Sequence, residues 1–180
     1  LYAPKGIGAL FVRGGAMLDT YIHGASQEMG RRAGTENVAY IVGLGIACAV
    51  AARALPEYTT RVRDFRDKLH AGIVDGLGKD RVFLNGHPVK RLPNTLNISI
   101  RGVVGEELLR QIPEIAASTG AACHAGSTEP SSVLLEMGLG REMALGALRL
   151  TLGRTTTRDE IGAAVALIVE QARKLLALSS

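Results

Sequence analysis

The sequence predicts an α/β fold, and three observations support this prediction. Apolar residues recur at helical spacing over residues 38–55, and a second amphipathic segment covers residues 57–77. Short apolar runs at 81–84 and 95–100 follow, bounded by turn residues, as is typical of β-strands. The chain closes with a well-marked helix. Helices that alternate with short strands are typical of an α/β layer.

The first thirteen residues combine a glycine-rich turn with a strand-like apolar run. A strand needs a sheet to join, and the nearby sequence offers little from which to build one. We therefore expect that a preceding part of the protein is missing from this chain.

Two consecutive long helices are expected next. Pro56 separates the two helical segments, and we expect a break or the first turn of a new helix at that position. Gly76 and Gly78 are predicted to end the second helix, because glycine readily adopts the left-handed conformation that follows a helix.

The remaining elements complete a small α/β layer. A helix is predicted over residues 105–112, and strands are predicted at 115–118 and 148–152. Thr157 and Glu160 form a capping box, in which each side chain satisfies a backbone N–H at the start of the last helix.

Composition limits the class of protein. The chain has 180 residues, and 47% of them are hydrophobic, which is ample for a core. Its two cysteines, Cys48 and Cys123, do not form a disulfide framework, and Cys48 lies in an apolar run, so a reducing compartment is expected. The four histidines lack the paired spacing of zinc ligands, so we expect no metal site.

The formal charge of +4 does not indicate a nucleic-acid partner, because basic residues are spread along the chain and mixed with acidic ones. The first residues do not have the pattern that we expect of a signal peptide, and every apolar stretch of membrane-spanning length is interrupted by charge or glycine. We expect a soluble, cytoplasmic protein without a membrane or nucleic-acid partner.

Cys123 is the first candidate for chemistry. Small residues and glycines surround it, and His124 supplies an adjacent basic group. A thiolate in such a loop is an effective nucleophile, although a small apolar residue that fills a loop is an equal alternative.

Two further polar positions are candidates for binding. Thr35 follows a glycine just before a helix, where a hydroxyl and backbone N–H groups can hold a phosphate, or where threonine simply caps the helix. Arg149 interrupts an apolar strand, so it is either a surface residue or a fork that grips a carboxylate.

Several motifs together resemble the C-terminal half of cysteine desulfurases and the related selenocysteine lyases, in the class V aminotransferase group. The motifs cover nearly the whole chain in the family order: residues 1–13, Gln27-Glu28, 32–37 (Arg-Ala-Gly-Thr-Glu-Asn), 96–99 (Leu-Asn-Ile-Ser), 118–135 around Cys123, and 147–156 around Arg149. Ala25 and Ser26 replace glycines that are common in the family.

The resemblance implies a fold-type I enzyme that depends on pyridoxal 5'-phosphate. Residues 1–52 would then be the end of the large cofactor-binding domain with its linker helix, and residues 53–180 the small C-terminal α/β domain. The lysine that forms the Schiff base in the family stands before Leu1, and Lys5 matches a different lysine. The active site is therefore expected to be incomplete without the preceding N-terminal half.

The resemblance also assigns roles. Cys123 matches the cysteine that takes sulfur from L-cysteine, leaving L-alanine and a persulfide, and Arg149 matches the arginine that binds the substrate carboxylate. Thr35 matches the residue that reaches the cofactor phosphate of the other subunit, which implies a homodimer. A sulfur-acceptor protein, as in iron–sulfur cluster assembly, is the implied recipient.

Three alternatives remain open, and one of them is an aminotransferase relative without thiol chemistry, in which Arg149 holds a keto acid. A selenocysteine lyase would use the same side chains on L-selenocysteine to release selenide. A non-catalytic sulfur carrier or binding module would use Cys123 without a cofactor.

Overall fold

The computed structural model describes residues 1–120 and 129–178 of the chain. It divides into two units, Leu1–Pro56 and Glu57–Ser180. The assignment of residues 1–52 to a larger cofactor-binding domain stays a prediction.

A three-stranded antiparallel sheet organises the second unit. Its strands are β3 (Val82–Leu84), β4 (Thr95–Ile100) and β5 (Ala147–Thr151), and β4 lies in the centre. All three strands were expected at these places from their apolar runs, and the structure confirms them. Ile98 of β4 pairs with Leu84 on one side and Leu148 on the other.

The core lies on one face of this sheet. Side chains alternate between the two faces of a strand, so Leu96, Ile98 and Ile100 all point inward, and each is at most 1% exposed. Helices contribute the other half of the core, mainly Phe65, Leu69, Ile73, Leu108, Ile161, Ile168, Ala172 and Leu175.

The described residues after β4 form the helices α2 (Gly105–Arg110), α3 (Ser132–Glu136), α4 (Arg141–Leu145) and α5 (Arg158–Leu178). The sequence predicts α2 and α5 but does not predict the short helices α3 and α4. The capping box of α5 is confirmed: the Thr157 N–H donates to Glu160 Oε2 over 2.7 Å, and the Glu160 N–H donates to Thr157 Oγ1 over 3.3 Å.

The two long helices expected on either side of Pro56 are one continuous helix, α1 (Val38–Leu77). The expected break is wrong: Pro56 lies inside α1, and the helix continues through it although a proline removes one N–H donor and its ring crowds the preceding turn. Its neighbours, Leu55 and Glu57, are good helix formers that sustain the helix on both sides.

Only one of the two predicted stop glycines ends α1. Gly78 follows the last helical residue with a φ of +92°, and its N–H donates to the Val74 carbonyl over 2.8 Å. Gly76 instead permits close packing, since a Cβ added there would lie 2.5 Å from Val169 Cγ2 of α5.

The first unit contains a short hairpin of β1 (Ser26–Gln27) and β2 (Arg32–Ala33), followed by the first half of α1. The strand predicted within residues 1–13 is wrong. Residues 7–12 of that run are in no strand of the described structure, and Leu10 and Phe11 are 79% and 88% exposed. A strand requires a neighbour to accept and donate its hydrogen bonds, which this unit does not supply.

The expectation that no segment could span a membrane also needs correction. The most apolar 18-residue window of α1 has a mean hydropathy of 2.0, and none of it is buried within the described structure. The interrupting glycines and a single arginine, Arg53, do not lower this average enough. One such helix establishes no membrane contact, because a helix of a soluble protein passes the same test.

Candidate active site

Arg149 lies on β5 between two buried leucines. Leu148 is 0% exposed and Leu150 is 4% exposed, because both point into the core. The alternation of the strand therefore turns Arg149 to the opposite face, where it is exposed. Among the described residues, no side chain forms a hydrogen bond or an ion pair with its guanidinium. An exposed cation without a counter-ion on a rigid strand is well suited to bind an anion.

The chain segment that leads to Cys123 is hydrogen-bonded to this arginine. Ser118 and Arg149 form a backbone bridge, in which the Arg149 N–H donates to the Ser118 carbonyl over 2.6 Å and the Ser118 N–H donates back over 3.3 Å. The strand predicted over residues 115–118 is wrong beyond this single bridge. Only Ser118 is opposite β5, since residues 115–117 lie in a turn and an irregular segment.

Cys123 itself lies outside the described residues, as does His124. The chain is described up to Gly120, two residues beyond the bridge with Arg149, and again from Glu129. A Cβ added at Gly120 would lie 3.9 Å from Ser131 Oγ, so the two ends of this segment lie side by side. Of the described residues that flank this segment, Ser118 is bridged to Arg149 and Gly120 lies next to Ser131.

An ion pair fixes the return end of this segment. Arg141 of α4 donates to both carboxylate oxygens of Glu129, over 3.0 and 3.2 Å. The hydrogen bonds from Arg141 hold the pKa of the Glu129 carboxyl below its usual value, and the same bonds raise the pKa of Arg141. Both side chains are exposed, so we assign this pair an orienting role with little effect on stability.

A small cavity lies beside the two ends of the segment. Its volume is about 150 Å³, and its lining includes Thr119, Glu129, Ser131 and Ala144. Ser131, which follows the segment that carries Cys123, is buried in the second unit.

Thr35 belongs to the first unit and is exposed. It does not cap α1, because Asn37 does so: the Tyr40 N–H donates to Asn37 Oδ1 over 3.2 Å. This removes the simpler of the two explanations for Thr35 and leaves its hydroxyl outside the helix cap. Glu36, the next residue, accepts from the amide of Gln27 once that amide is oriented to satisfy both groups, over 2.9 Å.

Sequence reasoning missed Asn97 and Asn85. Asn97 is directly opposite Arg149 in the pairing of β4 with β5. Asn85 follows β3 and is only 6% exposed, and its amide donates to Asn97 Oδ1 over 2.7 Å. The signal available in the sequence was three polar residues, Asn85, Asn97 and Ser99, at or beside predicted strands.

The described residues contain no group of three or more His, Cys, Asp or Glu side chains that could hold a metal ion. Cys48 is an exposed free thiol on α1.

Comparison with known proteins shows that the chain is similar to members of one family. Residues 1–163 match the model of the family described as Aminotransferase class-V. A cysteine desulfurase of Gluconacetobacter diazotrophicus is 45% identical over 163 residues, which are 89% of this chain and 40% of that protein. Cysteine desulfurase IscS of Methanosarcina thermophila is 42% identical over 179 residues, which are 98% of this chain and 43% of that protein.

A solved structure of a NifS-like protein has a similar fold, with a TM-score of 0.83 at 31% identity. The superposition covers 96% of this chain and 44% of that one. These likenesses confirm the predicted α/β class of a fold-type I enzyme and the resemblance to cysteine desulfurases. The chain spans less than half the length of the relatives that it matches.

Proposed function

This chain belongs to the class-V aminotransferase family, and we propose that it forms part of a cysteine desulfurase that removes sulfur from L-cysteine and yields L-alanine. The observation that carries the proposal is the exposed Arg149 guanidinium, which has no partner side chain among the described residues. The Arg149 backbone is bridged to Ser118, which precedes the segment that carries Cys123.

Arg149 binds the carboxylate of the substrate in this proposal. The planar guanidinium offers parallel N–H donors that match the two carboxylate oxygens, so it fixes both position and orientation. Leu148 and Leu150, which are buried on either side, hold the strand so that the fork stays in place.

Cys123 takes the sulfur. Its thiolate attacks the sulfur of L-cysteine, an S–S bond forms, and the C–S bond of the substrate breaks. The electron pair of that bond stays with carbon, which is protonated to give L-alanine. The sulfur remains on Cys123 as a persulfide, from which it passes to an acceptor protein such as one that assembles iron–sulfur clusters.

Enzymes of this family depend on pyridoxal 5'-phosphate, and the described residues fit a share of its site. Thr35 is exposed and does not cap α1, so its hydroxyl is able to donate a hydrogen bond to a phosphate. When bound, the cofactor supplies an electron sink for bonds at the substrate carbon. In a homodimer, Thr35 would serve the phosphate bound by the other subunit.

The partners in this proposal follow from the part of the fold that the chain contains. The apolar, exposed half of α1 fits a surface that the preceding N-terminal half of the enzyme covers. We assign residues 1–52 to the large domain and residues 53–180 to the small domain. We also propose that the complete enzyme is a cytoplasmic homodimer without a membrane or nucleic-acid partner.

The test is a Cys123→Ala variant of the complete enzyme, assayed for L-alanine and sulfide with L-cysteine as substrate. We expect activity to fall by about a hundredfold or more, because no other described group replaces the nucleophile. Cofactor absorbance should not change. Cys48→Ala is the matched control and should retain full activity, since alanine is similar in size to this free cysteine and no step of the proposal uses Cys48.

Unchanged alanine production by Cys123→Ala would contradict the proposed role. The same assay with L-selenocysteine distinguishes a lyase, which would prefer that substrate. Absence of both activities in the wild-type enzyme, with sulfur bound on Cys123, would indicate a sulfur carrier.

A further inference from the structure

Asn97 and Arg149 lie next to each other on the same face of the sheet. They are directly opposite residues of neighbouring antiparallel strands, and opposite residues project to the same side with Cβ atoms about 4.5–5.5 Å apart. Ser118 bridges Arg149 from its other side. Arg149 therefore lies between Ser118, which precedes the segment that carries Cys123, and Asn97.

The Asn97 amide accepts a hydrogen bond at its oxygen, whereas its nitrogen has no acceptor among the described residues. Asn85 Nδ2 donates to Asn97 Oδ1 over 2.7 Å and to Ser99 Oγ over 2.9 Å, so the oxygen of the Asn97 amide is occupied. No described residue accepts a hydrogen bond from Asn97 Nδ2. Two donor hydrogens on this amide are thus available beside the guanidinium of Arg149.

The supporting groups are rigid. Asn85 is 6% exposed and Ser99 is 0% exposed, and the Asn85 N–H also donates to the Asn97 carbonyl over 2.9 Å. Arg91 donates to the Asn85 carbonyl over 2.8 Å, which ties the turn before β4 to the same network. A buried, hydrogen-bonded support of this kind sets the direction of the amide before any ligand arrives.

We propose that Asn97 is a second ligand of the substrate carboxylate, which it shares with Arg149. This inference rests on the proposed function, because it assigns a further residue to the same substrate site. A carboxylate has two oxygens with several lone pairs, so the guanidinium and a neutral amide can donate to it together. An amide suits the position because it adds a donor without neutralising the arginine, as an aspartate would.

The proposal makes Asn97 a determinant of specificity for substrates with a free carboxylate. An analogue in which this group is a neutral amide cannot use both donors in the same way. Loss of Asn97 should therefore weaken the binding of carboxylate ligands and leave that of their amide analogues unchanged.

The experiment compares Asn97→Ala with the wild-type complete enzyme. Dissociation constants are measured for L-alanine and L-alaninamide from the change in cofactor absorbance, and KM and kcat are measured for L-cysteine. We expect the Kd of L-alanine and the KM to rise by about tenfold or more, as for a lost hydrogen bond to a charged group. The Kd of L-alaninamide and kcat should stay within about twofold.

Thr95→Ala is the matched control. Thr95 lies on the same strand and face as Asn97 and pairs with Thr151, so its loss should change none of these constants. Asn97→Asp keeps the size of the side chain and places a carboxylate beside Arg149. We expect this second variant to weaken L-alanine binding more than Asn97→Ala, because the two side chains would pair with each other.

Equal weakening of L-alanine and L-alaninamide would assign Asn97 a purely structural role and overturn the inference, as would unchanged binding of both. A wild-type enzyme that binds L-alanine but releases no alanine from L-cysteine would overturn the proposed desulfurase function. The binding comparison would still report on Asn97 in that case.

Discussion

The two units of the chain differ in what they do with apolar side chains. No residue of Leu1–Pro56 is buried, although the unit is rich in large hydrophobic residues such as Leu10, Phe11 and Ile46. The second unit buries its apolar residues in one main cluster around β4 and β5. Hydrophobic burial is the main favourable term in folding, so the second unit contains the source of its own stability and the first does not.

This difference matches the division of the chemical roles that we propose. Arg149 and its neighbours lie on strands whose other face is fully packed, so their positions are fixed by the second unit alone. Thr35 lies in a unit whose apolar surface fits a partner, so we expect its position to depend on that partner.

The largest contrast is expected between two isoleucines. Ile98→Ala removes a side chain that is 0% exposed in the centre of the sheet, and it should lower the free energy of unfolding by about 2–5 kcal/mol. Ile46→Ala alters a side chain of α1 that is 60% exposed, and in the 180-residue chain it should change this quantity by about 0.5 kcal/mol or less. Urea unfolding of both variants measures the difference.

The same pair sharpens the assignment of a partner. In the complete enzyme, Ile46→Ala should become clearly destabilising if the N-terminal half covers α1. An Ile46 effect that stays negligible there would contradict this cover, and an Ile98 effect as small as that of Ile46 would contradict the contrast between the units.

A smaller contrast is expected between two glycines. A Cβ added at Gly146 would lie 2.5 Å from the Ile100 carbonyl oxygen, so the backbone must move, and Gly146→Ala should destabilise by about 1–3 kcal/mol. At Gly45, within α1, nothing lies within 4 Å of the added Cβ. Gly45→Ala should therefore stabilise by about 0.5–1 kcal/mol, because alanine favours the helix.

Thermal and urea unfolding of the two alanine variants test this expectation. Opposite signs support it, whereas destabilisation by both would mean that the surroundings of Gly45 are as crowded as those of Gly146.

Features that depend on nearby residues could be predicted from the sequence. The Thr157–Glu160 capping box is one of them, because both of its hydrogen bonds join residues three positions apart. The central strand β4 is another, since its alternating pattern marks the buried face directly. Arg149 was recognised in the same way, as a polar residue within an apolar strand.

Features that depend on distant partners could not be predicted. The run around Phe11 has the composition of a strand but no neighbour to pair with. Pro56 was expected to break a helix that its flanking residues sustain. Asn97 gains its place beside Arg149 only through the register of two strands about fifty residues apart in the chain, which no local pattern specifies.

The smallest effect concerns the charge of His70, which is half-buried in the second unit. Burial lowers the pKa of His70 below its usual value; the positive charges of Arg91 and Arg66 lower it further, and Asp67 acts in the opposite direction. The unfolded chain therefore binds this proton at a higher pH than the folded chain. Stability should fall as the pH drops through the usual value of 6.5, and the neutral side chain of His70→Gln should reduce this loss.

Urea unfolding at pH 7.5 and 5.5 measures the slope of the free energy of unfolding against pH. His23→Gln, which replaces an exposed histidine of the first unit, is the control. An identical slope for wild type and His70→Gln would show that His70 titrates alike in the folded and unfolded chain.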